Sequence, residues 1–140
     1  MSVLKGVYVL VVSVSEDTSM NVGALGKMTF RKGLYAYVGS AQNDLEKRLE
    51  RHLRKVKRKF WHIDYLLSGE TARVLKVFYK KAKKPEECEI ARKLGERSIP
   101  TKGFGCSDCA CKSHLFRIED YHSLEEFMLQ LEWKCKRNAF

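Results

Sequence analysis

Nowhere in these 140 residues does an apolar run approach the roughly 18 residues of a membrane-spanning helix, so the chain is not built to cross a bilayer by helices. Met1 to Val14 is too short and too well patterned for a signal peptide, and no cleavage-like site follows it. The expectation is a cytoplasmic protein with no membrane partner. Neither an internal repeat nor a flexible linker interrupts the chain. Asn and Gln are scarce, at three and two, while Lys and Glu are plentiful, a balance that hints at a thermophilic source. Acids are also in short supply: 17 Asp and Glu face 27 Lys and Arg, leaving a formal charge of +10. Five cysteines, an odd number without a secretory signal, argue against a disulfide framework. An intracellular disulfide stays open if the source is a hyperthermophile.

What is present suits one domain with one core, since 44% of the residues are hydrophobic. The positive charge is concentrated. Lys47 to Lys59 holds eight Lys or Arg and one acid. Such a field attracts polyanions, of which nucleic acid is the first candidate, and each phosphate contact adds salt dependence. A merely solubilising surface is the alternative.

Along the chain, Val3 to Val14 is rich in β-branched residues and reads as a largely buried strand. Ser15 to Asn21 reads as a polar turn, and Gly23, Gly26 and Gly33 punctuate an irregular hairpin. Leu34 to Val38 is the next strand, ended by Gly39 and Ser40. Asn43 to about Lys57 is expected as a helix capped by Asn43 and Glu46, with Leu45, Leu49, Leu53 and Val56 as its apolar stripe. A short helix spans Phe60 to Leu67, and Ala72 to Tyr79 reads as a strand. Pro85 opens a helix that runs to Leu94, with Gly95 as its stop. Ile99 to Lys112 reads as a Gly- and Cys-rich loop, and Leu115 to Ile118 as a last short strand. Ser123 and Glu126 form a capping box for a C-terminal helix lined by Leu124, Phe127, Met128, Leu131 and Cys135. The fold class is therefore α+β: a small mixed or antiparallel sheet flanked by helices, with residues 1–99 as a core and 100–140 as an extension of the same domain.

Phosphodiester hydrolysis needs a deprotonated water, an offset for charge on phosphorus, a stabilised leaving oxygen and a strand held in line. A carboxylate-bound divalent metal, an arginine fork and a tyrosine or histidine proton relay are the groups able to do this. Tyr8 and Tyr37 lie on strand runs that can pair. Arg48 and His52 are four apart and share a helix face at the boundary of the leucine stripe. Glu87 falls in the first turn of the Pro85 helix, where the helix dipole favours its ionised form. Singly, each has an ordinary structural role; the argument rests on their joint order.

That order is carried by Gly6-Val7-Tyr8, then Tyr37-Val38-Gly39-Ser40-Ala41-Gln42-Asn43 and Lys47-Arg48-Leu49. Over roughly residues 3 to 98 it resembles the GIY-YIG nuclease superfamily. With Trp61-His62-Ile63-Asp64-Tyr65, Glu87-Cys88 and the Gly103-to-Phe116 stretch, it is similar to an uncharacterised, mostly archaeal branch of it. The resemblance implies a DNA endonuclease in which Tyr8 is general base or orients the water. It further implies that Tyr37 supports nucleophile and phosphate, Arg48 stabilises phosphoryl charge and Glu87 ligates one Mg²⁺ or Mn²⁺. Nucleic-acid contacts are expected at Gly39, Ser40, Arg51, Arg54, Lys55, Lys57 and Arg58, with DNA expected over RNA. Three departures stand out: 28 residues separate the two tyrosines, Ser40 stands where many members have lysine, and the usual late asparagine has no clear match.

Cys106, Cys109, Cys111 and His114 offer three thiols and an imidazole within nine residues. They form a possible Zn²⁺ set, although structural zinc sites usually join two separated pairs. Small buried thiols, an oxidised pair, or projection of Ser107, Asp108, Ser113 and His114 into the active site are the alternatives. His62 and Asp64, two apart, are expected to cap and bridge the short helix. Two rivals to the nuclease stay open: a non-catalytic nucleic-acid-binding module and a zinc-stabilised interaction module. A redox role for the cysteines is a weaker idea, and the oligomeric state is not fixed by the sequence.

Overall fold

Strand β1 (Gly6–Val14) is so rich in valine because it lies at the centre of a sheet and is covered on both faces; only Ser13 escapes full burial. A computed structural model describes residues 4–54, 58–59, 61–105 and 113–131. After β1 come β2 (Thr18–Asn21), a 3₁₀ turn (Gly23–Leu25), β3 (Lys27–Phe30) and β4 (Gly33–Ala41). Helices α1 (Leu45–Leu53) and α2 (His62–Leu67) precede β5 (Ala72–Lys80) and α3 (Pro85–Gly95). The chain continues through β6 (Ile99–Pro100), β7 (Leu115–Ile118), α4 (His122–Phe127) and β8 (Leu129–Leu131). Six strands form one sheet in the order β6-β7-β4-β1-β5-β8, and β2 pairs with β3 in a separate ribbon. Every pairing is antiparallel, so the fold is α+β and the sheet is not mixed.

Alternation along β1 and β4 feeds two cores. Val7, Val9, Val11, Ala36 and Val38 pack with Phe78, Ile90, Ala91, Leu94, Phe116 and Leu124, so α3 and α4 cover that face. Tyr8, Leu10, Val12, Tyr35 and Tyr37 face the other way, onto Leu45, Leu49, Ile63, Leu66 and Phe104. Burying a leucine such as Leu45 or Leu49 contributes about 1.5–3 kcal/mol, which is what seats α1 on the sheet. Among the described residues no helix is long and apolar enough to cross a membrane.

Several local expectations are corrected. Asp44, not Asn43, caps α1: its carboxylate accepts the Lys47 N–H at 3.2 Å. The helix ends at Leu53, and its third buried position is His52 where the leucine pattern predicts Leu53. Residues 55–57, including Lys55, Val56 and Lys57, lie outside the described residues. β4 continues through Gly39 and Ser40 to Ala41, because β1 pairs with it all the way to Gly6. The stretch read as a polar turn contains β2. Gly95 is the last residue of α3, one short of the cap at Glu96. The C-terminal helix is only α4: Tyr121 stands at its cap with no side-chain bond, and from Leu129 the chain becomes a strand. There β8 pairs Leu129 with Tyr79 and Gln130 with Phe78, satisfying the free edge of β5, an option that helical periodicity does not register. Cys135 lies outside the described residues.

Candidate active site

The register of β1 on β4 sets Tyr8 opposite Gly39 and Leu10 opposite Tyr37, which makes the two tyrosines diagonal neighbours on one face. Gly39 is glycine for a steric reason. A Cβ there would sit 2.5 Å from the Cζ and Oη of Tyr8, so the bare backbone lets the phenol ring lie across β4. Gly6 has a similar constraint, since a Cβ there would run into the Lys80 carbonyl.

With its ring so placed, the Tyr8 hydroxyl meets His52 Nε2 at 2.6 Å. Both groups are buried, and a buried polar group is tolerable only when bonded in this way. Burial pushes the Tyr8 pKa up to about 12, with the charge of Arg48 working in the opposite direction. Tyr37 is pushed well above its ordinary value, first by burial and then by Tyr8 and the negative charge of Glu87. At neutral pH both are therefore phenols. The Tyr37 ring packs edge-on against His52 at 6.2 Å and Phe104 at 6.3 Å between centroids.

Arg48 reaches back from α1 to the end of β4, its Nη1 donating to the Ser40 carbonyl at 2.9 Å. Its guanidinium lies 4.2 Å from the Trp61 ring centroid, and that of Arg51 lies 4.4 Å from it. Arg51, expected at the nucleic-acid surface, makes a two-pronged bond to buried Asp64, both at 2.8 Å. It also donates to the Arg58 carbonyl at 2.9 Å. Asp64 accepts the Trp61 N–H at 2.8 Å as well, so it closes the start of α2 as expected. Its partner in that expectation, His62, instead accepts the Gly105 N–H at 2.8 Å, and burial lowers its pKa. Arg54 and Arg58 are exposed at the end of α1 and beyond it.

Glu87 stands in the first turn of α3, whose first position is Pro85. Its carboxylate Oε2 lies 3.1 Å from His114 Nδ1; the imidazole is buried and the carboxylate 14% exposed. Among the described residues no three His, Cys, Asp or Glu side chains gather as a ready cage for a metal ion. A hard divalent cation needs none, because it is commonly held by one or two carboxylates with water and substrate phosphates. Glu87 has the donor chemistry for that. Cys106, Cys109 and Cys111 lie outside the described residues, so the zinc set is represented only by His114.

The structure thus brings Tyr8, Tyr37, Arg48 and His52 together, with Glu87 near enough that its charge bears on both phenols. Sequence reasoning missed Trp61, which pairs with two arginines, and Phe104, whose ring fills the space between Tyr37, Phe30 and His62. A tryptophan two residues past the end of a basic run was the available signal for the first. Phe104 had none, since it sits in a turn among glycines. Neither a curated protein nor a solved structure matches the chain. The family described as a domain of unknown function, DUF123, matches residues 7–137, and the chain belongs to that family.

Proposed function

We propose that this protein is a divalent-metal-dependent endonuclease hydrolysing phosphodiester bonds in DNA, directed by structure or by weak sequence preference. The reading is supported first by the buried Tyr8–His52 hydrogen bond at 2.6 Å, in a cluster that also holds Tyr37 and Arg48. A protonated Tyr8 is not itself a base. It works as a relay: Tyr8 Oη accepts a proton from the attacking water while its own passes to His52 Nε2. The water oxygen bonds to phosphorus, and the bond to the leaving oxygen breaks. Arg48, held by the Ser40 carbonyl and the Trp61 ring, offsets charge on the phosphoryl oxygens. Tyr37 hydrogen-bonds the phosphate or the water. A Mg²⁺ or Mn²⁺ ion held by Glu87 would supply charge for the leaving oxygen. The resemblance of Gly6-Val7-Tyr8, Tyr37-Val38-Gly39 and Arg48 to the GIY-YIG nuclease superfamily supports the same assignment. The surplus of positive charge supports a nucleic-acid partner.

The experiment is a cleavage assay on labelled duplex, single-stranded, flap and branched DNA with Mg²⁺ or Mn²⁺. Cleavage that Glu87→Ala and Tyr8→Phe abolish while DNA binding persists supports the nuclease. Salt-sensitive binding with no cleavage of any substrate supports a non-catalytic nucleic-acid-binding module instead. One observation favours that second reading: the Arg48 guanidinium already has a carbonyl and an aromatic ring for company.

A further inference from the structure

Glu87 does not stand alone. The imidazole of His114 is 2% exposed, and its Nδ1 lies 3.1 Å from Glu87 Oε2. A carboxylate only accepts, so a hydrogen bond across this distance has Nδ1 as its donor. The histidine backbone is tied on both sides: its N–H donates to the Phe104 carbonyl at 2.8 Å, and its carbonyl accepts the Val38 N–H at 2.9 Å. The preceding hydroxyl, Ser113, is buried and bonded to both the N–H and the carbonyl of Leu115, which opens β7 against Tyr37. Gly105 closes the remaining side, where an added Cβ would lie 3.0 Å from the His114 Cβ. An imidazole fixed in this way fixes whatever it bonds.

We infer that His114 is a positioning residue for the metal-binding carboxylate: by engaging Oε2 it aims Glu87 so that the cation is met through Oε1 alone. This rests on the reading of Glu87 as the metal ligand. The chemistry is that of outer-shell control. A ligating carboxylate that keeps a hydrogen-bond partner is held in one rotamer, and loss of that partner typically weakens metal binding about 10–100-fold. Engagement at a single oxygen also leaves most of the coordination sphere to water and phosphate, as suits a cation that must let its substrate go. The arrangement links chain segments distant in sequence, the start of α3 and the approach to β7.

The test separates two amides of similar polarity. In His114→Asn the amide nitrogen falls where Nδ1 stands. In His114→Gln it falls near the position of Nε2, and the donor to Glu87 is misplaced. Mn²⁺ is titrated into the DNA-free protein, with binding followed by electron spin resonance of the free ion and by water-proton relaxation. Circular dichroism checks the fold. His114→Asn is expected to bind Mn²⁺ within a few-fold of the unsubstituted protein, and His114→Gln about 10–100-fold more weakly. On a cleaved DNA, the Mn²⁺ concentration for half-maximal rate should rise in step. The inference is overturned if Asn and Gln variants bind Mn²⁺ alike while Glu87→Gln loses it. If Glu87→Gln binds as the unsubstituted protein does, the carboxylate is not the ligand, and the metal assignment fails together with the inference.

Discussion

The two faces of the central sheet are built from alternate residues of the same two strands, yet they differ in kind. Odd positions of β1 and even positions of β4 supply Val7, Val9, Val11, Ala36 and Val38 to a core closed by α3 and α4, made of aliphatic groups, phenylalanines and Met128, with Tyr121 partly buried against it. Even positions of β1 and odd positions of β4 supply Tyr8 and Tyr37 to a core where His52 is also buried. A purely apolar face costs nothing in unmade hydrogen bonds. The polar face must satisfy each hydroxyl and imidazole internally, because an unpartnered buried group costs about 1–3 kcal/mol. A fold has no need of that risk for stability, since Leu or Phe would fill the same space. The buried phenols and imidazole gathered on one face are where the proposed chemistry would sit.

That contrast can be broken or sharpened by experiment. The largest effect is expected from Glu87→Ala, which should lower the cleavage rate by about three orders of magnitude or more, on the several-kcal/mol scale of metal-ion stabilisation. It should also cost about 1–3 kcal/mol in unfolding, because the buried His114 Nδ1 loses its carboxylate partner, and single-turnover kinetics beside a melting curve checks both. Tyr8→Phe should lower the rate about 10²–10⁴-fold and also cost about 1–3 kcal/mol in denaturant unfolding, because His52 Nε2 loses its partner. On the apolar face, Leu124→Ala should cost about 2–5 kcal/mol in denaturant unfolding and leave the rate per folded molecule unchanged. A large rate loss there would erase the distinction between the faces.

Gly39→Ala comes next, at about 1–3 kcal/mol, since the new methyl displaces the Tyr8 ring and uncouples it from His52. Loss of cleavage with a folded protein is the expected readout. A raised phenol pKa gives stability that is whole below the ordinary value of 10.0 and is lost as pH climbs through about 12. Alkaline unfolding should therefore carry a limb on the order of 2 kcal/mol that Tyr8→Phe removes. The smallest effects belong to the exposed cations. Arg54→Ala or Arg58→Ala should each flatten the slope of log K against log salt for DNA binding by about 0.9, with little change in unfolding.

How much of this could be read from the chain varies with the reach of the interaction concerned. β1, β5, α3 and β7 were legible because alternation, a proline at a first helical position and acids in a first turn act within a few residues. The two tyrosines could be expected to meet, since paired strands bring such positions together. The cap of α1 fell to the neighbouring residue, Asp44 instead of Asn43, because two cap-forming side chains stood side by side and only backbone geometry chose. His52 was legible as a polar residue at the edge of a stripe but not as a buried one. Its burial depends on a hydroxyl 44 positions away. Leu129 to Leu131 were assigned to a helix by their spacing, whereas the open edge of β5 drew them into the sheet.

By itself the sequence determined the class of fold, the strand that lies at its centre, the helix that begins at Pro85 and the excess of positive charge. These follow from periodicity, propensity and composition, which are summed over neighbours. Only the tertiary structure decided that Gly39 yields its side-chain space to Tyr8, that Arg51 serves Asp64, and that His114 holds Glu87. Each of those is a bond or a contact between distant segments. Its free energy exists only once the sheet has closed the distance between them.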